Sequence, residues 1–177
     1  MKKRAGFTII ELMVTLIIAA IGLTIAIPGF ANFLRSQRAT SNANELLVSL
    51  TFARSEALKR GDPVAVCASD NPQAATPACS GNNSWTNGWI TFVDDDTAGT
   101  DGDYDSATET LLRVHPASGS VSVTTDGGAD YVRFIGDGTA DARDDFKVKP
   151  DGCTQNQQRH VNLTPTGRGE VDSEACS

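Results

Sequence analysis

The feature that most constrains this chain is an apolar run near its start, from Phe7 to Phe30. A run of this length can cross a bilayer, which takes about 20 residues. Glu11 is its only charged residue. A carboxylate in a membrane helix costs roughly 2.5 to 3.5 kcal/mol at the centre and less near an end. Because of this cost, such a residue is a candidate for a functional role. Glu11 therefore needs a partner that stabilises its charge.

Charge is unevenly distributed along the 177 residues, a length that suits one domain plus a stalk or anchor. Residues 62–177 contain 19 acidic and 7 basic side chains, whereas residues 29–60 contain 2 acidic and 5 basic ones. An acidic surface repels phosphate backbones. This balance disfavours nonspecific nucleic-acid binding by the whole domain and leaves a local basic patch as the alternative.

Three basic residues, Lys2, Lys3 and Arg4, precede the apolar run. The positive-inside rule places them in the cytoplasm and the rest of the chain on the outer side. A cleaved secretory signal peptide has an apolar core of about 7–15 residues followed by a small-x-small site. Because this run is longer and continues into a helical pattern, we favour a retained membrane segment.

An amphipathic pattern follows the apolar run. Apolar residues recur at helical spacing at Ala43, Leu46, Leu47, Leu50, Ala53 and Ala57. The segment Lys59–Pro63 provides basic last-turn residues, a Gly stop and a Pro beyond it. The pattern predicts one helix ending near Arg60, with Pro28 bending it without breaking it. Its apolar stripe is expected to pack on the following domain.

From Pro63 onward, short β patterns separated by Gly, Asp, Asn and Pro turns replace the helical periodicity. The predicted strands are Val64–Ala68, Gly88–Val93, Leu111–His115, Val121–Thr124, Tyr131–Ile135, Phe146–Lys149 and His160–Leu163, with Gly169–Asp172 as a weaker one. Alternation such as Val132–Phe134 predicts antiparallel pairing, with one face buried against the helix and the other solvated. The fold class is therefore α+β, with helix segments 7–30 and 31–61 and a β-rich domain over 62–177.

The four cysteines are Cys67, Cys79, Cys153 and Cys176. They show no Cys-x-x-Cys spacing, and the two histidines lie far from them in sequence, so a zinc site is disfavoured. Behind an export segment, an even number of cysteines indicates two disulfides. Among three connectivities we favour Cys67–Cys79 and Cys153–Cys176, because each pair brackets a polar loop whose closure stabilises by about 3 kcal/mol in the chain-entropy model.

An acidic stretch places seven carboxylates within 16 residues, from position 94 to position 109. Residues 101–105 match the first three ligand positions of an EF-hand calcium loop, but Ser106 and Leu112 replace the Gly and Glu that such a loop requires. We expect a solvated acidic loop, with a looser calcium cage as the alternative.

Residues for catalysis are sparse. The two histidines are His115 and His160, and the sequence contains no Gly-x-Ser-x-Gly elbow, phosphate loop or metal cluster. We therefore expect no enzymatic activity, no cofactor and no metal.

The segment Gly6-Phe7-Thr8-Ile9-Ile10-Glu11-Leu12 resembles the type III signal of type IV pilins and type II secretion pseudopilins. The resemblance implies that a prepilin peptidase cleaves between Gly6 and Phe7, removing residues 1–6, and that the new amino terminus is methylated. Glu11 and Pro28 fall where pilins carry the same residue types. A cationic amine at Phe7 can pair with Glu11 of its own chain or of a neighbouring subunit, which replaces an isolated charge. We expect Glu11 to guide docking into a growing filament.

Three further segments are similar to the H-type pseudopilins and the FimT/FimU minor pilins, namely Phe52–Ala57, Asn87–Asp94 and Leu163–Gly169. The resemblance implies a type IV pilin-like fold and a minor pilin that joins or primes a type IV pilus, with other major and minor pilins as partners. It implies a single-pass precursor among bacterial inner-membrane lipid, with a periplasmic C-terminal domain, and later a place in a pilus or pseudopilus. The alternatives are an H-type pseudopilin of type II secretion and a DNA-binding minor pilin for natural transformation.

The DNA-binding alternative depends on Gly167-Arg168-Gly169-Glu170. Some FimT-type pilins that bind DNA carry Gly-Arg-x-Arg here, and its arginines would grip phosphates. This sequence keeps Arg168 but has Glu170 at the second position, where a carboxylate opposes phosphate. Arg159, His160 and Arg168 could form a small basic patch, but we favour Arg168 as a solvated turn residue.

Overall fold

The computed structural model of the chain describes residues 8–95, 100–116 and 119–177. In chain order the described elements are α1 (Ile9–Arg60), β1 (Val64–Ala68), β2 (Gly88–Val93), β3 (Thr110–Pro116), β4 (Val121–Thr125), β5 (Tyr131–Phe134), β6 (Ala140–Ala142), β7 (Phe146–Pro150), β8 (Gln158–Leu163) and β9 (Gly169–Glu174). The chain divides into two compact units, residues 1–34 and residues 35–177.

The helix begins and ends where its sequence signals lie. Thr8 Oγ1 accepts a hydrogen bond of 3.3 Å from the N–H of Glu11, which satisfies one free donor of the first turn. α1 continues through Pro28 without interruption. Gly61 follows the last turn with φ of 75°, and its N–H donates to the carbonyl of Ala57 at 2.8 Å. This left-handed end favours glycine, as the sequence predicts.

The nine described strands form two antiparallel sheets. The first has the order β3-β2-β1-β5-β6 and the second the order β4-β7-β8-β9. Every predicted strand is present, and no strand end differs from its prediction by more than two residues. The sequence patterns do not reveal the division into two sheets.

Strand β6 was missed in the sequence analysis. Its sequence, Ala-Asp-Ala, carries no β-branched or aromatic residue and therefore no strand signal. It forms because it pairs with β5 and because the N–H of Ala140 donates to the carbonyl of Pro165 at 3.1 Å. Tertiary pairing, rather than local preference, makes this strand.

The main core lies between the second half of α1 and both sheets. The predicted helix stripe is buried except for Leu47, which is half-buried. The core residues facing it from the strands and loops are Val64, Val66, Ala68, Trp85, Trp89, Val121, Val123, Val132, Phe134, Phe146, Val148, Val161 and Leu163. Helix residues and strand residues thus share one core. The second half of α1 therefore belongs to the β-containing unit, residues 35–177.

The prediction that the outer sheet face is solvated is wrong for β1 and β2. Both strands are buried on both faces, and a second core cluster contains Ala65, Cys67, Ile90 and Phe92. Tyr104 covers this face, with its ring centroid 5.2 Å from that of Phe92. The loops between β1 and β3 therefore act as a third layer over the first sheet.

Candidate functional site

The first part of α1 is an apolar surface that the chain itself leaves uncovered. From Thr8 to Phe30 every side chain whose burial is described is exposed. By length and composition α1 is able to cross a membrane, and its apolar window is not buried within the described structure. Contiguous apolar surface of this size is a site for lipid or protein contact.

Glu11 lies in the first turn of this segment and is exposed. Within the described residues, its carboxylate makes no hydrogen bond or ion pair, although its backbone N–H donates to Thr8 Oγ1. The two processing residues proposed from the sequence, Gly6 and Phe7, lie outside the described residues. The carboxylate is thus placed on an apolar surface where only a group from elsewhere, or from the first seven residues, can neutralise it.

Arg159 does not contribute to a free basic patch. Its Nε donates to Thr40 Oγ1 at 3.1 Å, and its Nη2 donates to Ser36 Oγ at 2.9 Å. Nη1 donates to the carbonyls of Asn156 and Gln158, both at 3.0 Å. This guanidinium therefore joins β8 to α1.

The basic patch of Arg159, His160 and Arg168, which the sequence left as the disfavoured alternative, does not form within the described residues. His160 Nε2 lies 3.0 Å from Asp126 Oδ2, so a carboxylate already faces it. Arg159 pairs with Ser173 in the β8–β9 ladder, whereas Arg168 lies in the turn beyond Leu163, about 13 Å away along the strand at 3.3 Å per residue. The three side chains do not form one surface.

Arg168 is an exposed turn residue, as we favoured from the sequence. Its N–H donates to Thr164 Oγ1 at 3.1 Å, and its carbonyl accepts from the Thr164 N–H at 2.8 Å. These bonds close the β8–β9 hairpin. The backbone of Arg168 is thus structural, while its guanidinium faces solvent.

The glycines beside Arg168 have steric roles. Gly167 has φ of 74°, and a Cβ there would lie 2.5 Å from the carbonyl oxygen of Gly138 and 2.9 Å from Arg54 Nε. A Cβ at Gly169 would lie 2.4 Å from Leu47 Cδ1 on α1. The Gly-Arg-Gly turn therefore packs its backbone against the helix, which accounts for the two glycines without reference to a ligand.

The acidic stretch is organised by a buried arginine that the sequence analysis missed. Arg133 Nε lies 2.7 Å from Asp94 Oδ2, and its Nη1 lies 2.8 Å from Asp141 Oδ2 and 3.5 Å from Asp101 Oδ2. Both Arg133 and Asp94 are buried. Burial raises the pKa of Asp94, although the N–H of Gly102 and the charge of Arg133 act in the opposite direction.

The expectation of a fully solvated acidic loop is therefore wrong for Asp94 and for Glu109, which is also buried. Glu109 accepts hydrogen bonds from the N–H groups of Asp105, at 2.7 Å, and Asp95, at 3.2 Å. Burial raises the pKa of Glu109 despite these bonds. Within residues 8–95, 100–116 and 119–177, no group of three or more potential metal ligands occurs.

Two disulfides join Cys67 to Cys79 and Cys153 to Cys176. These are the pairs that the loop argument favours. The first attaches the 69–79 loop to β1, and the second attaches the C-terminal segment to the loop after β7. Disulfides of this kind form in oxidising compartments.

A long helix with an uncovered apolar first part, followed by antiparallel sheets on its second part, defines a pilin-like filament subunit. Two family models match the chain: the prokaryotic N-terminal methylation motif over residues 1–27 and the type II transport protein GspH over residues 42–167. Because the second match spans more than half of the chain, the chain belongs to the GspH family. This family and fold are those of structural pilin proteins.

Solved structures give the same fold. The type IV minor pilin FimU of Pseudomonas aeruginosa strain PAO1 matches in two crystal forms. The P65 form has a TM-score of 0.57 at 19% identity and covers 78% of this chain and 99% of its own. The P21 form has a TM-score of 0.59 at 18% identity and covers 82% and 99%. No curated protein matches the chain in sequence.

Proposed function

We propose that this chain is a minor pilin that is incorporated into a type IV pilus and primes its assembly. The observation that carries the proposal is the exposed apolar segment from Thr8 to Phe30, which needs lipid before assembly and other subunits afterwards. Other major and minor pilins are the partners that would cover it in the filament. The role is structural, without catalysis or a cofactor.

Glu11 is the residue to which we assign recognition during assembly. Cleavage between Gly6 and Phe7 by prepilin peptidase creates an amino group close to Glu11 in sequence. A pair between this cation and the carboxylate, within one chain or between two, removes the cost of an isolated charge in an apolar environment. A subunit in the wrong axial position leaves both charges unpaired, so the pair sets the register of docking.

The precursor lies in the bacterial inner membrane as a single-pass protein, with residues 35–177 in the periplasm. Lys2, Lys3 and Arg4 support this orientation through the positive-inside rule. The two disulfides support it independently, because the periplasm is oxidising.

The runner-up is an H-type pseudopilin of a type II secretion system. The matching family model is described as a type II transport protein, whereas both matching solved structures are described as type IV minor pilins. The discriminating experiment deletes the gene and measures two outputs, the yield of sheared surface pili and the secretion of exoproteins. Loss of pili with normal secretion supports the pilus role, and the reverse result assigns the chain to secretion.

The role of Glu11 is tested by Glu11→Gln, which keeps the shape and removes the charge. We expect precursor processing and membrane insertion at native levels and at least a tenfold lower amount of the variant in sheared filaments, measured by immunoblot. The matched control is Asp62→Asn, an exposed carboxylate just beyond the end of α1. Native incorporation of Glu11→Gln would remove the proposed register role.

A further inference from the structure

The unit formed by residues 35–177 is acidic overall but begins with basic side chains. It contains 21 acidic and 12 basic residues. Arg35 and Arg38 are the first two of these bases and lie three positions apart on α1, so they lie on neighbouring parts of one helix surface. Arg38 is exposed and Arg35 is half-buried.

A third arginine, Arg159, lies at this end of the unit. From β8, its side chain donates hydrogen bonds to Ser36 and Thr40 of α1. The loop after β7 comes close to Arg35, because a Cβ at Gly152 would lie 3.4 Å from Arg35 Nη2. Asp151, the residue before Gly152, contributes an opposing charge. Two arginines thus lie within the first two turns of this unit, and a third lies beside them with its guanidinium occupied by hydrogen bonds.

We propose that Arg35 and Arg38 bind the headgroups of anionic phospholipids on the outer surface of the membrane in which the precursor resides. The inference rests on the proposed function, since it requires a membrane-anchored precursor. Two observations select lipid as the occupant: the arginines follow directly on the apolar segment in the same helix, and their charge complements anionic headgroups. The remaining acidic domain is repelled by the same surface, so contact is confined to this end.

The positions of these arginines run against the positive-inside rule, which favours basic residues on the cytoplasmic side of a membrane segment. Setting orientation therefore does not account for their positions. After residues 1–6 are removed, Arg35 and Arg38 are the basic residues nearest to the apolar run. Their aliphatic stems can lie along apolar surface while the guanidinium reaches a phosphate. They hold the processed subunit at one depth until it is drawn into the filament.

The test uses the full chain reconstituted into vesicles that contain a photoactivatable headgroup on either phosphatidylglycerol or phosphatidylcholine. Mass spectrometry maps crosslinks to peptides, which separates residues 35–42 from the basic leader. A cation near an anionic surface contributes about a fivefold preference. We expect at least fivefold more crosslinking of residues 35–42 to phosphatidylglycerol at low salt, and a marked reduction of this preference at high salt.

The variant Arg35→Gln/Arg38→Gln is expected to bring the two lipids to equal yields. Arg38→Lys keeps the charge and should retain most of the preference, and Arg168→Gln, an exposed arginine in a distant turn, should leave it unchanged. Equal yields in the native chain, or a preference that survives the double substitution, would overturn the inference. Flotation of the same vesicles separates the two proposals, since a chain that fails to insert contradicts the membrane-anchored precursor itself.

Discussion

The two halves of α1 have the same backbone structure and opposite surroundings. In the first half every described side chain up to Phe30 is exposed, although nearly all are apolar. In the second half, an apolar stripe that includes Leu46 and Leu50 is buried beneath two sheets. The second half is therefore stabilised by contacts within its own chain, whereas the first half depends on contacts with other molecules. Substitutions in the two halves should therefore affect different measurements.

The largest effect on domain stability is expected from Arg133→Ala. The change leaves Asp94 buried without its cation, which costs about 3 to 5 kcal/mol. Since burial already raises the pKa of Asp94, the loss should shrink as pH falls and Asp94 binds a proton. Urea unfolding at neutral and acidic pH checks both statements. An equal loss at both pH values would contradict the role assigned to Asp94, and Arg168→Ala serves as a neutral control.

The pair Leu46→Ala and Leu16→Ala tests the contrast between the halves directly. Leu46 is fully buried, so its truncation should destabilise the domain by about 2 to 5 kcal/mol. Leu16 is 61% exposed, so its truncation should leave domain unfolding unchanged and lower incorporation into filaments. If Leu16→Ala lowered the domain's melting temperature as much as Leu46→Ala, the two halves would not be independent.

The outer layer over β1 and β2 is expected to depend on its disulfide. Replacing Cys67 and Cys79 with Ser should cost about 3 kcal/mol in the chain-entropy model. Because this disulfide lies in the domain, membrane insertion of the first half of α1 should be unaffected. Thermal unfolding and vesicle flotation of the same sample measure the two properties. Impaired insertion with a native melting temperature would show that this disulfide affects the membrane segment and not the stability of the domain.

The smallest effect is expected at the surface cluster of Asp126, Lys147 and His160. Burial opposes ionisation of Asp126, but hydrogen bonds and charges from Lys147 and His160 lower its pKa overall. A lowered carboxyl pKa in the folded state contributes stability above the ordinary value of about 3.9, and this stability is lost as pH falls through the folded value.

Asp126→Asn should therefore cost about 0.2 to 1 kcal/mol at neutral pH, the range for exposed pairs. The difference from the native chain should shrink as pH falls from neutral through the lowered pKa of Asp126. Urea midpoints across this range measure it. A difference that stays constant with pH would mean that packing, rather than charge, is what the substitution removes.

Much of the fold could be predicted because its signals are local. Helix ends depend on Gly61 and its neighbours, and strands depend on alternation that is visible within a few residues. The division into two sheets, strand β6 and the buried pair of Arg133 with Asp94 depend on residues brought together from distant parts of the chain. Arg159 looked like a free cation because a sequence cannot show that Ser36 and Thr40 lie beneath it.

The candidate site also has features that the sequence shows and features that depend on tertiary contacts. The apolar run and Glu11 were evident from the order of residues alone, because a lone carboxylate within a long apolar run is unusual. The acidic stretch was misjudged, since its charges are partly satisfied by one arginine from β5. Counting carboxylates does not reveal which of them are buried.

Whether neighbouring subunits cover the apolar first half of α1 can be measured as its accessibility in intact filaments. Leu16→Cys and Arg168→Cys are introduced separately, and sheared filaments are treated with a membrane-impermeant maleimide. We predict that both variants are present in filaments, that the thiol introduced at position 16 is unreactive and that the one at position 168 reacts. A reactive thiol at position 16, or a chain absent from filaments altogether, would contradict a subunit whose apolar helix is covered by its neighbours.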